Sequence, residues 1–471
     1  MSLNSLSKTL KEKRSLPLQL KFLLTLIVGL TAVFCIIIES GTYQHRYAAK
    51  TIGVDSAPSV FTAYEIKIKA QILDADTANI LASKPGQDMV SVRDFEVNRV
   101  KLAEALVGAA ENITFDDSER EPIRKLQDAV SEYLADVARA QALHEKGDPA
   151  YIVEYHNSLS VLKEQILPSA DALEAANAVV LEKTYSTQGK ESVLTFALVL
   201  LAGLALMAVL VYTQVYVTRN FKRRFNLGLL GASALVLLIT LYTSFSFLTQ
   251  SALVRNAKQD AYDSIIALYG AKSFAHEANA ASSRFLLDKP QADTHEQTFN
   301  AAIDKLLTVG NGLTFDKVFS MASNITPQEL KKQLDGRTGT LIDELRNITF
   351  DHEQEAAAAA VKTLGVYVAT NAQLRQLEKA GKHDEAVAMG IGMSKGESAW
   401  AFGEFNQSLD AVLEINRTFF KKDIASAQAR VAALPYINPI VGILIALSAF
   451  FGLRPRLKEF PASAFKKLGK A

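Results

Sequence analysis

Four stretches of the chain are almost wholly apolar and carry no charge: FLLTLIVGLTAVFCIII between Lys21 and Glu39, SVLTFALVLLAGLALMAVLVYTQVYVT after Glu191, FNLGLLGASALVLLITLYTSFSFLTQSALV after Arg224, and VAALPYINPIVGILIALSAFFGL after Arg430. Each reaches the roughly 17–25 residues that a helix needs to cross the hydrocarbon core of a bilayer, the first only just. Between them the pattern changes. Apolar residues recur at three- and four-residue spacing, as in IRKLQDAVSEYLADVARAQAL (123–143), in segments rich in Ala, Leu, Glu, Lys and Gln, which predicts amphipathic helices. The pattern therefore predicts an all-α membrane protein with four transmembrane helices and two tandem, duplicated antiparallel four-helix-bundle external domains.

Duplication is written into the turns. ENITFDDSERE (111–121) returns as RNITFDHEQEA (346–356), ILASKPGQ (80–87) as FLLDKPQA (285–292), and QALHEKGDPA (141–150) as QLEKAGKHDEA (376–386). Early matches are offset by about 205 residues and late ones by about 235, so the second half carries an insertion of roughly 30 residues around 313–346. The expected helices of the first half are 41–84, 90–113, 118–147 and 149–190. Those of the second are 255–288, 291–310, 351–381 and 383–434, with an extra helix at 326–346. Pro85-Gly86 and Pro290 are expected to end the first helix of each half, and Gly147 and Gly381 fit left-handed C-terminal caps. Pro58, in GVDSAPS, is a point where the first helix can kink or restart. Ser118 with Glu121, and Thr326-Pro327 with Glu329, fit capping boxes. The Asn-Ile-Thr words read as helix-entry sequences with Ile and Phe packing inward, rather than as glycosylation acceptors.

Charge orients the spans. Residues 1–21 carry +4, the loop 215–226 carries +4 and the tail 454–471 carries +5, whereas 41–190 carries −7 and 250–430 carries −3. By the positive-inside rule the three short basic segments are cytoplasmic and the two long ones external. The expected order is a cytoplasmic N-terminus 1–21, spans 22–38, 192–214, 227–249 and 435–453, external bundles 39–191 and 250–434, a basic loop 215–226 and a basic tail 454–471. The first span follows KTLKEKR as a signal peptide would, but its long apolar core and the absence of a small-residue cleavage site favour an uncleaved anchor. A bacterial cell membrane, with both termini cytoplasmic, is the expected location.

Candidate chemistry is sparse. The seven histidines (45, 144, 156, 276, 295, 352 and 383) are scattered and expected on helix surfaces; His295-Glu296 and His352-Glu353 lack the second His that a zinc helix carries four residues on. One cysteine, Cys35, lies inside a span, which excludes an intrachain disulfide and a Cys-based metal site. Asp74 and Asp76 could contact a cation or amine, but two positions apart they diverge on a helix and read rather as a solvated pair. The spans hold no Asp, Glu, Lys, Arg or His, the residues that mark ion pathways, and their Ala and Gly in LLAGLALMA and LGLLGASALV suit close helix packing. No catalytic, cofactor or metal residue is expected, and no enzyme activity. The ligand-binding residues are left unknown; Arg93, Arg99 and Arg284 are carboxylate contacts to be weighed, against the commoner role of arginines on solvated faces.

A helical bundle between two spans resembles the ligand-binding domain of methyl-accepting chemoreceptors, without the downstream signalling helices. In layout and in AENITFDDSER, ALHEKGDPAYIVEY and QILPSADALEAAN, the chain is similar to bacterial four-span proteins with paired external helical domains found in actinobacteria and cyanobacteria. One actinobacterial group of that type senses amino acids such as glutamine and aspartate through an external amino-acid-binding lipoprotein and a cytoplasmic Ser/Thr kinase. The resemblance thus implies those two partners beside the lipid bilayer and allows a homodimer; it implies no nucleic acid, no cofactor and no transferable binding residue. Two functions stay open: a membrane sensory or signal-relay protein whose bundles bind a small molecule or a binding protein and pass the state to a cytoplasmic partner, and a non-catalytic scaffold of an envelope complex. The basic strips VTRNFKRRFN and RPRLKEFPASAFKKLGK would dock either lipid or that partner.

Overall fold

The computed structural model describes residues 3–221, 225–310 and 312–459. Among them the chain is helical, and the only pairing of strand type is an isolated bridge between Gly310 and Leu313. Lys222, Arg223 and Arg224 of the basic loop and the tail beyond 459 lie outside the described residues. The protein is an all-α membrane protein, with four helices of 67, 71, 61 and 61 residues long and apolar enough to cross a bilayer. Contacts divide it into two compact units.

The first unit comprises Met1–Lys50, Thr184–Val254 and Ile424–Ala471. It is built from α1 (Leu3–Lys50), the later part of α6 (Leu167–Phe221), α7 (Leu227–Asn256) and α16 (Leu434–Lys458). Leu20, Ile27 and Phe34 of α1 meet Val199, Leu206, Val236 and Ile445 in one core. The same helices are equally apolar on the far side, where Phe22, Ile36, Leu204, Leu238 and Ile443 are each more than 60% exposed. A helix apolar on every side belongs in hydrocarbon, where packing rather than water exclusion must hold neighbours together. Small residues supply that packing. A Cβ on Gly228 would lie 2.5 Å from the Ser448 carbonyl oxygen and 2.6 Å from Gly452 Cα, and one on Gly203 would lie 2.5 Å from Thr240 Oγ1. At the entry to α7 the Asn226 side chain accepts from the backbone N–H groups of Gly228 and Leu229 and donates to Gly452 O at 2.7 Å.

The second unit comprises Thr51–Lys183 and Arg255–Asp423. In its first half, α2 (Ala57–Ala82), α3 (Met89–Glu111), α4 (Asp117–Glu145), α5 (Tyr151–Val161) and the start of α6 close on a core that includes Leu73, Phe95, Leu126, Tyr133 and Val161. The second half comprises α8 (Asp263–Leu287), α9 (Ala292–Leu306), α13 (Glu353–Lys379), α14 (His383–Ile391) and α15 (Ser398–Ala432). The expected helix 383–434 is thus broken between Ile391 and Ser398, where Gly392 and Gly396 interrupt it. The single helix expected at 326–346 is instead two short ones, α11 (Pro327–Gln333) and α12 (Thr340–Arg346), because Gly336 and Gly339 adopt positive φ between them, and a further short helix, α10 (Phe315–Asn324), precedes them in the insertion.

The repeated Asn-Ile-Thr words build two equivalent corners. Asn112 donates its side-chain amide to Asp55 O at 3.2 Å and Ser59 Oγ at 2.7 Å, and Asn347 donates to Gln259 O, Asp260 O and Ser264 Oγ at 2.9 to 3.2 Å. The carbonyls belong to π-helical turns, Thr51–Ser56 and Ala257–Tyr262, whose i→i+5 pattern departs from that of the flanking α-helix. Beside each asparagine a glutamate takes two backbone N–H groups: Glu119 from Thr114 and Phe115, Glu353 from Thr349 and Phe350. The Ser118–Glu121 capping box is therefore absent, since Glu119 takes that role and Ser118 Oγ donates to Phe115 O. Thr326 does cap α11, accepting from Glu329 N, with Pro327 in the first turn.

Helix packing in the first unit predicts opposite outcomes for two glycines of similar sequence setting. Gly228→Leu overpacks the α7–α16 contact and lowers the unfolding midpoint of the detergent-solubilised protein, a cost of about 1–3 kcal/mol. Gly29→Leu, whose Cβ meets nothing within 4 Å, leaves the midpoint unchanged; equal losses at both sites would contradict the packing described.

Candidate functional site

Helix α2 is enclosed. It packs along α3 on one side and along α8 on another, and residues on all its faces are buried. Several of its polar positions, Gln71, Asp74 and Thr77 among them, are therefore buried, and α8 answers the polar positions of α2 with polar groups of its own. Ser273 Oγ donates to Gln71 Oε1 at 3.2 Å, and the Tyr269 hydroxyl donates to Glu65 at 2.8 Å while Arg417 donates to the same carboxylate at 2.7 Å. Tyr64 stacks on Tyr269 with centroids 5.4 Å apart.

The centre of this seam is an ion pair with no exposed surface. Arg284 Nε lies 3.1 Å from Asp74 Oδ2, its terminal nitrogen lies 3.3 Å from Glu277, and the Tyr155 hydroxyl donates to Asp74 at 2.9 Å. Burial disfavours the guanidinium charge, but Asp74 and Glu277 outweigh it and raise the pKa further. Two further groups extend the seam: His156 Nε2 is 2.8 Å from Asp288, and His295 Nε2 is 3.5 Å from the same carboxylate.

These observations correct several expectations. Asp74 and Asp76 are not a solvated pair: Asp74 is fully buried on Arg284, and Asp76 has a carboxylate oxygen sealed from solvent without a donor. Arg284 is occupied by protein carboxylates. Arg93 and Arg99 are exposed and paired with their neighbours Asp94 and Glu96 at 3.0 and 2.7 Å. His45, His276 and His295 are buried rather than on helix surfaces. His352 is exposed beside Glu355, whereas Glu353 is buried in its corner. Among the described residues no three His, Cys, Asp or Glu converge as a metal site.

Next to the seam lies a cleft of about 210 Å³ formed by α2, α3, α8, α15 and the break before α15. From α2 and α3 it is lined by Asp76, Asn79, Asp94 and Asn98, and from α8 and α15 by His276, Asn279, Ser282 and Phe402. Burial, and then Asp94 and Asp88, push the Asp76 carboxyl up to about 8. Burial, and then Lys272 and Lys69, push His276 down to about 3, so its imidazole is neutral, with Nδ1 unpartnered. A buried carboxyl oxygen without a donor and a buried neutral imidazole with Nδ1 unpartnered are costly in a packed interior. They give the cleft the means to hold a polar ligand.

The pH dependence of stability reads Asp76 directly. Its folded pKa is raised, so the native state keeps a proton that the unfolded chain releases near the usual 3.8, and stability falls as pH rises between those values. Asp76→Asn removes this contribution, flattening the fall by up to about 1.4 kcal/mol per pH unit. Unfolding midpoints from acid to mildly alkaline pH check this; parallel curves for the two proteins would contradict it.

Residues 48–186 match the family model described as the actinobacterial sensor domain. No curated protein and no solved structure matches the chain. The first half of the helical unit, which supplies Asp74, Asp76 and Tyr155 to the seam, is thus similar to a bacterial sensor domain.

Proposed function

We propose that the chain is a membrane sensory or signal-relay protein whose helical unit receives a small molecule or a binding protein and whose state is read by a separate cytoplasmic partner. The observation that carries this is a cleft with unsatisfied buried polar groups, built between two halves of a unit whose first half is similar to a sensor domain. In this reading the helical unit is external and both termini are cytoplasmic, as the basic short segments favour. The two halves descend from one duplicated bundle and dock as an internal pseudo-dimer; the stacking of Tyr64 on Tyr269, 205 positions along the chain, supports a two-fold relation of that kind. The π-helical turns at Thr51–Ser56 and Ala257–Tyr262 then serve as the points where a shift in docking becomes a shift in helix register, since π-helical turns are often found at functional positions. An external amino-acid-binding protein and a cytoplasmic Ser/Thr kinase are the partners proposed from the resemblance in layout.

Purification of the full-length protein in mild detergent from its native membrane, with and without an amino-acid mixture, tests the reading by identifying what travels with it. Recovery of a solute-binding protein or a kinase in amounts that change with the mixture is expected. Constitutive recovery of envelope proteins alone would favour a scaffold instead.

A further inference from the structure

We propose that the cleft between α2, α3, α8 and α15 binds a small primary ammonium compound, with the ammonium group on Asp76 and the remainder of the ligand directed toward His276. The proposal deepens the sensory reading and takes its biological meaning from it, but rests on different observations. Asp76 is partly buried, with one carboxylate oxygen sealed and without a donor. The charges that bear on it are those of Asp94 and Asp88, both of the same sign. Asp76 therefore keeps a proton up to about pH 8, and its sealed oxygen has no donor, since Arg93 pairs with Asp94 and Lys69 donates to Asn98 at 3.4 Å; a bound ammonium releases that proton to solvent and takes its place. An ammonium provides both missing elements, a positive charge and N–H donors.

The α8 side of the cleft is independent of this acidic group and also awaits a partner. His276 is 4% exposed, lines the cleft, and leaves Nδ1 without a hydrogen bond. Its ring is held edge-on to Phe402, with centroids 5.0 Å apart. The lysines that bear on it are already engaged, Lys272 with Asp410 and Lys69, on α2, with Asn98 at 3.4 Å, so what His276 offers a ligand is its unpartnered Nδ1, a place for the neutral tail. The volume of about 210 Å³ is below that of sites for drug-sized ligands. Phe402 alone of the aromatic residues lines it, which is not the aromatic cage that recognises quaternary ammonium groups. A divalent metal ion, which takes six or more oxygens or keeps several waters, fits less well than an N–H donor facing one carboxylate.

Calorimetric titration of the full-length protein in detergent with propylamine and ethanolamine, against 1-propanol and ethylene glycol as neutral counterparts of equal size, tests this. The amines are expected to bind at least about tenfold more tightly than the alcohols. Asp76→Asn is expected to remove that preference. Gly403 lines the cleft and a Cβ there would meet nothing within 4 Å, so Gly403→Leu fills the cleft without a clash and is expected to abolish amine binding while keeping the unfolding midpoint. Amines and alcohols binding alike, absence of amine binding at millimolar concentration, or an amine preference retained in Asp76→Asn would each overturn the proposal. None of those outcomes bears on partner recovery, which tests the sensory reading separately.

Discussion

The guanidinium of Arg284 has no exposed surface, and the organisation of the helical unit depends on its contact with Asp74. Taking both charges out of water costs several kcal/mol for each, which the 3.1 Å contact, with Glu277 and Tyr155 beside it, offsets in part, since Arg284 Nε and Nη1 and Asp74 Oδ2 lack an aligned hydrogen bond. Asp74 and Tyr155 come from the first half of the chain and Arg284 and Glu277 from the second, so the pair forms only when the halves are docked. Apolar packing alone would let α2 and α8 slide in register at little cost. The buried pair, together with Ser273 on Gln71 and Tyr269 on Glu65, restricts them to one alignment.

That alignment produces the cleft. Asp76 follows Asp74 by two positions on α2 and therefore leaves the helix in another direction, toward α3 and away from the guanidinium. His276 precedes Glu277 on α8 and faces the same space. The seam thus places an ion pair at its centre and groups without a charged partner at its side, an arrangement suited to a protein that must be stable and still respond to something that binds. The asparagine corners serve the ends of the unit in the same way. Asn112 and Asn347 satisfy the carbonyls of the two π-helical turns from outside the helices that contain them, so each turn is tied to the body of its own half.

Much of the fold was legible because it is written in local patterns. Charge-free runs marked the four long membrane helices, and Pro85-Gly86, Gly147 and Gly381 marked turns where positive φ is found. The Asn-Ile-Thr words at 112–114 and 347–349 do lie just before α4 and α13, although the partners of Asn112 and Asn347, at the starts of α2 and α8, were not legible, because a π-helical turn leaves no sequence period to read. The seam was misread for a clear physical reason. Treating Asp74 and Asp76 as solvated assumed that α2 has a water-facing side, and that side is covered by α8 from about 200 residues away along the chain. A signal was present: Gln71, Asp74 and Thr77 fall at three-residue spacing on one face of the helix, and Asp76 and Asn79 at the same spacing on another, so no face was left that is both polar and single. The three short helices of the insertion were likewise signalled by Gly310, Gly312, Gly336 and Gly339, all with positive φ.

The central claim is that the two halves are held in one alignment by the Asp74–Arg284 pair. A double-mutant cycle in the full-length protein, with Asp74→Leu, Arg284→Met and the two combined, tests it by urea unfolding. Each single substitution leaves a buried charge unpaired and is expected to cost about 3–5 kcal/mol, whereas the double substitution costs far less than their sum. Additive losses, or a single substitution without effect, would contradict it.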